Sequence, residues 1–253
     1  MSAPCVFFVG GTRSGKSGMA QRWAEAVAPQ RLYLATCRAE DEEMNRRVAR
    51  HQAMRGSGWQ CLEEPLELAG AFDRIFADVA QAGAMVTGVR GGLPVCVSAD
   101  MPAEVVGKVP GLGLSGVQLG IKSEMQSGML SEMEHGARPE QEAAQQSAPK
   151  PGVLLLDCIS LWIANLLACD LGQEDILCKV SALGERLAAP PLPVAVVSAE
   201  TGLGLVPMSP LARTFNDVLG LANQELARAC RHVVFVSCGL PLPLKGGLPE
   251  ELC

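Results

Sequence analysis

The sequence predicts an α/β fold in which helices cover both faces of a mostly parallel β-sheet. Apolar segments of strand length alternate along the chain with segments of helical spacing, the pattern of successive β-α units. Some of the strand segments, such as 153–156, are continuously apolar, as expected of strands buried on both faces. A glycine-rich loop directly follows the first of them, at the kind of strand end where parallel sheets bind ligands.

The first strand, loop and helix occupy residues 5–27. Residues 5–9 are apolar, and Met19, Trp23 and Val27 recur at helical spacing after the loop. Between them lies a match to the phosphate-binding pattern G-x-x-x-x-G-K-[ST], made by Gly10, Gly11, Thr12, Arg13, Ser14, Gly15, Lys16 and Ser17. The alternative is a glycine-rich turn that fits by chance, but both flanks favour a P-loop. The fold is therefore predicted to be P-loop NTPase-like, of the RecA-like kind.

The P-loop predicts a nucleoside triphosphate and Mg²⁺ as ligands. Its glycines allow backbone N–H groups to surround an anion, and the helix dipole adds partial positive charge at the same place. Lys16 is expected to reach the β- and γ-phosphates, and the Ser17 hydroxyl to bind Mg²⁺.

Residues 31 to 82 continue the alternation. A second strand is predicted at 31–36, followed by a helix at 40–53 that is acidic in its first turn and basic later. A Gly-Ser-Gly break comes next, and residues 59–62 indicate a short strand. An apolar stripe at helical spacing then predicts a helix at 66–82.

The composition changes between about 86 and 151. This segment contains no aromatic residue, is rich in glycine and ends in the polar run 138–150, so it cannot easily bury enough apolar surface to order itself. We therefore predict one P-loop nucleotide-binding domain, residues 1–253, interrupted by a flexible insertion at about 86–151. The alternative is a small β-rich subdomain supported by residues 95–97 and 105–106.

The alternation resumes at the apolar run 153–157. The later elements are predicted as helices at about 159–168 and 174–187, a strand at 193–198, a loop at 201–207, a helix at about 210–230 and a last strand at 233–236. Asp157 ends the strand, where P-loop proteins place an acid that helps to hold Mg²⁺. The alternative for Asp157 is the N-cap of the helix that begins near Ile159.

His51 is one of three histidines. It is in register with Met44 and Val48 on the inward stripe of the predicted helix, where a hydrogen-bonded core histidine is the commoner interpretation. The functional interpretation is that His51 faces the nucleotide, because neutral imidazole can attack phosphorus at pH 7. Spacing alone leaves both interpretations open.

Composition restricts the partners and the compartment. A net charge of −6 provides no general basic field, which argues against a protein that coats nucleic acid. The ten cysteines include no CxxC pair and no metal-like spacing, which predicts reduced thiols in a cytoplasmic protein. No signal peptide is visible, and no apolar run reaches the ~18 residues of a membrane span.

Several motifs in one order resemble the bifunctional adenosylcobinamide kinase / adenosylcobinamide-phosphate guanylyltransferase family of cobalamin biosynthesis. In the N-terminal part they are the P-loop, residues 33–36, residues 41–44, Arg47, Val48, His51, Arg55 and Trp59. In the C-terminal part they are residues 155–167, Val197, Ser198, Glu200, Gly202, residues 204–207, Leu211, Arg213, Phe215, Asp217, Gly220, Asn223 and Gln224. The resemblance covers about 1–85 and 152–246.

The resemblance implies two reactions. The enzyme phosphorylates the aminopropanol hydroxyl of adenosylcobinamide with ATP or GTP, and then transfers GMP from GTP to that phosphate through a guanylyl-histidine. It implies that His51 is the guanylylated residue, with Lys16 acting on the phosphates. The implied nucleotide contacts beyond the P-loop are Ala35, Thr36, Cys37, Gln52, Ala53, Met54, Arg55, Glu63 and Asp157. A homo-oligomer, as a trimer with sites between subunits, is implied as well.

The sequence departs from the family pattern at one position, and two other functions are alternatives. The family tends to have Asn before the glutamate that here is Glu200, whereas this chain has Ala199, so substrate affinity or choice can differ. A P-loop NTPase that only switches a binding surface is one alternative function. A small-molecule kinase without nucleotidyl transfer is the other.

Overall fold

The computed structural model describes residues 3–37, 58–84 and 150–252. In chain order its elements are β1 (Cys5–Gly10), α1 (Lys16–Val27), β2 (Arg31–Ala35), β3 (Trp59–Glu63), α2 (Leu68–Ala84), β4 (Val153–Asp157), α3 (Ile159–Ala168), α4 (Gln173–Ala188), β5 (Val194–Ala199), α5 (Pro210–Ala229), β6 (His232–Ser237), β7 (Leu240–Lys245) and a 3₁₀ turn (Glu250–Leu252). The predicted helix at 40–53 lies outside the described residues. So does the predicted insertion, apart from Lys150 and Pro151.

The described strands form one sheet in the order β3-β2-β4-β5-β1-β6-β7. Neighbouring strands are parallel except β6 and β7, which are antiparallel. The strand that comes first in the sequence is therefore a central one, with β5 and β6 on its two sides. This confirms the predicted mostly parallel sheet.

Alternate residues of β1 pack on opposite faces of the sheet, as the pleat requires. Phe8 belongs to the apolar cluster on the α1 face, where its ring centroid is 6.4 Å from that of Trp23. Phe7 belongs to the larger cluster formed with α2, α3, α4 and α5. Helices thus cover both faces, as predicted, and each face of a central strand such as β1 is fully buried.

Helix α2 begins two residues later than the helical spacing predicts. The Glu64 carboxylate accepts hydrogen bonds from the backbone N–H groups of Leu66 (3.2 Å) and Glu67 (2.8 Å). These contacts hold the chain in a turn before the helix, and the helical residues begin at Leu68.

Residues 233–236 form a strand as predicted, within β6. The prediction that this strand is the last one is wrong, because β7 follows it and pairs with it. Pro241 and Pro243 argue against a strand when the sequence is considered alone, since proline cannot donate to a ladder. In the structure β7 lies at the edge of the sheet, the position where prolines are tolerated in a strand.

Lys245, the last residue of β7, caps the C-terminus of α5 with its side chain. Its ammonium donates to the carbonyl oxygens of Ala227, Arg228 and Cys230 at 2.8 to 2.9 Å. Carbonyls at a helix C-terminus have no partner within the helix, and a cation also complements the helix dipole there. The edge strand β7 is therefore anchored to the C-terminal end of α5.

Two compositional expectations concern described residues. No disulfide links the eight cysteines in the described ranges to one another, while Cys96 and Cys253 lie outside these ranges. None of the helices in these ranges has the length and apolar character needed to cross a bilayer.

Candidate functional site

The P-loop leaves the sheet at the end of β1 and leads into α1. Arg13 (φ 58°) and Gly15 (φ 96°) adopt left-handed backbone conformations, which point successive N–H groups toward a common centre. Gly15 is the N-cap of α1, so the free N–H groups of the first helical turn lie next to this concavity. The Lys16 ammonium donates to the carbonyl oxygen of Gly11 at 3.1 Å, beside the same backbone.

The turn between β6 and β7 braces the P-loop. The N–H of Gly239 donates to the carbonyl oxygen of Ser14 at 2.8 Å. A Cβ on Gly15 would lie only 3.2 Å from Gly239 Cα, and a Cβ on Gly10 would collide with the carbonyl oxygen of Val236. This contact was not predicted from the sequence, in which the available signal was the Cys238-Gly239 pair directly after a strand segment.

The ends of β2, β3 and β4 align in a row at the same edge of the sheet. Ala35 is in register with Glu63 on one side and with Asp157 on the other. Tyr33 and Leu155 pack against the cluster on the α1 face, so the alternation along β4 places the Asp157 side chain on that face too. The Tyr33 hydroxyl donates to Asp157 Oδ2 at 3.2 Å.

The alternative that Asp157 caps α3 is wrong, because the N-cap residue is Cys158. Burial, and then the charge of Asp157, raise the pKa of the Cys158 thiol to about 11, and the charge of Lys16 acts in the opposite direction. Cys158 therefore stays protonated at neutral pH. Since both charges act on one thiol, Lys16 and Asp157 both lie within electrostatic range of Cys158.

Thr36 is fully buried and fixes the end of β2 to its neighbours. Its hydroxyl donates to the carbonyl oxygen of Cys158 at 2.8 Å and accepts from the N–H of Cys158 at 3.0 Å. The Asn165 amide donates to the Thr36 carbonyl oxygen at 2.7 Å. The Thr36 hydroxyl thus hydrogen-bonds to the protein's own backbone, and these contacts position the neighbouring Ala35 and Cys37.

The end of β5 supports the start of the P-loop. Ala199 is in register with Gly10, and the N–H of Glu200 donates to the Gly10 carbonyl oxygen at 3.0 Å. Asn223 of α5 holds this strand end, because it accepts from the Ser198 hydroxyl at 2.7 Å and donates to the Ala199 carbonyl oxygen at 3.0 Å. The backbone of Ala199 is therefore tied to both the P-loop strand and α5.

Replacement of Asn223 by leucine is expected to lower the free energy of unfolding by about 1–3 kcal/mol, because it leaves the buried Ser198 hydroxyl and Ala199 carbonyl without their partner. Urea denaturation measures the change. The neighbouring Gln224 is exposed, so Gln224→Leu is the matched control, expected within about 0.5 kcal/mol of the wild type. Equal stability of the two variants would contradict the proposed role of Asn223.

The site residues expected from sequence divide into two groups. His51, Gln52, Ala53, Met54 and Arg55 lie outside the described residues. The structure brings the others together at the carboxyl edge of the sheet, namely Gly10, Gly11, Thr12, Arg13, Ser14, Gly15, Lys16, Ser17, Ala35, Thr36, Cys37, Glu63 and Asp157.

A divalent cation has suitable oxygen donors at this edge. Within the ranges the structure describes, there is no group of three or more His, Cys, Asp or Glu side chains arranged to hold a metal. Mg²⁺ does not need one, because it commonly binds one or two protein oxygens together with water and substrate phosphates. The hydroxyl of Ser17, at the start of α1, and the carboxylate of Asp157 fit that requirement.

Comparison with known proteins gives consistent matches. The family model described as cobinamide kinase / cobinamide phosphate guanyltransferase matches residues 6–89 and 130–244. The bifunctional adenosylcobalamin biosynthesis protein CobP of Pseudomonas aeruginosa is 32% identical over 238 residues, which cover 94% of this chain and 95% of that protein. The proteins named CobU of Escherichia coli and Salmonella typhimurium are 26% and 27% identical over 255 residues, covering 95% of this chain and 99% of each relative.

Proposed function

Because the chain belongs to the cobinamide kinase / cobinamide phosphate guanyltransferase family, we propose that the P-loop edge of its sheet performs both family reactions. The chain is an adenosylcobinamide kinase and an adenosylcobinamide-phosphate guanylyltransferase of cobalamin biosynthesis. The observation that supports the location is that Asp157 ends its strand in register with Ala35 and, on the other side of Ala35, Glu63, with Lys16 near enough for its charge to act on Cys158.

In the kinase reaction, the acceptor hydroxyl attacks the γ-phosphorus of the nucleoside triphosphate and the diphosphate leaves. The P-loop N–H groups and the Lys16 ammonium hold the phosphates in line with the hydroxyl and neutralise the charge that develops on their oxygens. The residues around the end of β2 then border the rest of the nucleotide.

In the guanylyltransferase reaction, the imidazole of His51 attacks the α-phosphorus of GTP. A P–N bond forms and pyrophosphate leaves. An oxygen of adenosylcobinamide phosphate then attacks the same phosphorus, the P–N bond breaks, and adenosylcobinamide-GDP is released. The covalent intermediate divides one displacement into two easier ones.

Mg²⁺ is proposed as the cofactor, held by Ser17 and Asp157. When bound, it would supply positive charge that neutralises the negative charge of the phosphate oxygens. The repulsion between these oxygens and the incoming nucleophile would then be smaller. The Tyr33 hydroxyl, 3.2 Å from Asp157 Oδ2, orients the carboxylate for this role.

Asp157→Asn is expected to raise the Mg²⁺ concentration for half-maximal kinase activity by about tenfold or more, because the amide keeps the size of the side chain and removes its charge. Activity is measured as a function of Mg²⁺ concentration. Tyr33→Phe, which keeps the carboxylate and removes only its hydrogen bond, is expected to change the requirement much less. An unchanged requirement in Asp157→Asn would exclude that carboxylate as a ligand.

Product analysis tests the function as a whole. Incubation with adenosylcobinamide, GTP and Mg²⁺ is expected to give adenosylcobinamide phosphate and then adenosylcobinamide-GDP with release of pyrophosphate. Corrinoid phosphate without pyrophosphate would indicate a simple kinase. Hydrolysis of GTP without any corrinoid product would indicate an NTPase switch.

Two further proposals concern assembly and compartment. The family resemblance supports a homo-oligomer, as a trimer. The absence of disulfides among the described cysteines supports a cytoplasmic protein, since the cytoplasm keeps thiols reduced.

A further inference from the structure

The loop between β5 and α5 presents apolar side chains to solvent. Leu203, Leu205, Val206 and Met208 are between 79% and 97% exposed. We name residues 200–209 the apolar loop. Clusters of exposed apolar side chains on a protein surface mark sites that bind another molecule, whereas single exposed side chains need no explanation.

The apolar loop is held by polar contacts at both ends. At its start, the Glu200 carboxylate accepts from the N–H of Gly202 at 2.7 Å. At its end, the Arg213 guanidinium donates to the carbonyl oxygens of Pro207 (3.0 Å) and Met208 (2.8 Å). Polar contacts therefore set the conformation of the loop while its apolar side chains stay exposed. Because the loop is already ordered, binding of a ligand to these side chains costs less conformational entropy.

The apolar loop also starts directly beside the P-loop. Its first residue, Glu200, donates through its N–H to the carbonyl oxygen of Gly10, the first residue of the phosphate-binding motif. Strands β5 and β1 are neighbours and end at the same edge of the sheet. A molecule bound against the start of the loop therefore lies near the first residue of the P-loop.

We propose that the apolar loop binds the corrin ring of the acceptor substrate. This inference rests on the proposed function, in which a hydroxyl on a chain attached to the ring must reach the γ-phosphate in line. The ring must then be held close to the P-loop, and the exposed apolar side chains of the loop offer contacts for its carbon framework. The competing occupant is a second copy of this chain. Four exposed apolar side chains make up only a small part of the roughly 800 Å² per partner of a stable protein interface, so the loop by itself does not form a subunit contact.

The test is a double variant, Leu205→Gln with Met208→Gln. Both side chains are at least 95% exposed, so the variant is expected to fold as the wild type does, which thermal unfolding followed by circular dichroism checks. The KM for adenosylcobinamide is expected to rise about tenfold, as apolar contacts of two side chains are lost. The KM for GTP, and self-guanylylation without a corrinoid, are expected to stay within twofold.

Leu244→Gln is the matched control, because Leu244 is a 60% exposed leucine on β7 and its loss is expected to leave every parameter unchanged. An unchanged corrinoid KM in the double variant would overturn the inference. So would a rise in KM that accompanies dissociation of an oligomer in analytical ultracentrifugation, because that result assigns the loop to a subunit contact. Absence of corrinoid product from the wild-type chain would instead reject the proposed function, together with this inference.

Discussion

Lys16→Ala is expected to lower the kinase turnover number by about 10²- to 10³-fold, the usual effect of removing one group that stabilises transition-state charge. The Lys16 ammonium lies over the P-loop backbone, 3.1 Å from the Gly11 carbonyl oxygen, where it can move to the β- and γ-phosphates. Alanine keeps the helix and removes the ammonium that is proposed to contact the phosphates. Turnover is measured with saturating adenosylcobinamide and nucleotide.

The control for Lys16 is Arg22→Ala, which removes a positive charge from the same helix. Arg22 is exposed on α1 and lies outside the eight residues of the P-loop motif, so the turnover of Arg22→Ala is expected within twofold of the wild type. If Lys16→Ala retained most of the wild-type turnover, the P-loop would not be the kinase site.

His51→Ala is expected to abolish the covalent attachment of GMP. Wild-type protein incubated with labelled GTP and Mg²⁺, and then denatured, should carry a phosphoramidate label that is labile in acid and stable in alkali. The alanine variant has no imidazole to form the P–N bond, so the label should be absent. Its kinase reaction should continue, because in the proposed mechanism that step does not use the histidine, and adenosylcobinamide phosphate should accumulate.

His232→Ala is the control for the labelling experiment. His232 is the first residue of β6, and its ring lies 3.3 Å from the Gly247 carbonyl oxygen. Its loss is expected to leave the label intact. Persistence of the label in His51→Ala would assign the intermediate to another residue.

The P-loop could be recognised from sequence because its structure is local. The glycines, the lysine and the helix that follows are consecutive, and the backbone conformation they need depends on neighbouring residues. The same reason explains why β4 and its terminal Asp157 were expected correctly, since a continuous apolar run indicates a buried strand on its own.

Features that depend on distant residues were not predicted. Strand β7 was missed because Pro241 and Pro243 argue against a strand unless the strand lies at an edge, and only the pairing with β6 establishes that position. The brace of the P-loop by Gly239 was missed because residues 14 and 239 are far apart in the chain. The buried, structural use of the Thr36 hydroxyl likewise depends on Cys158.

By itself, the sequence determined the P-loop, the β-α alternation and the family, because each follows from short patterns of residue type and spacing. Only the tertiary structure decided which strands are neighbours, which acid lies on the face of α1, and that the loop after β5 stands beside Gly10 with its apolar side chains exposed. The physical reason is that strand order and burial arise from packing between residues far apart in the chain, which local spacing does not specify. The phosphate-binding loop is therefore a property of eight consecutive residues, whereas the site around it is a property of the sheet.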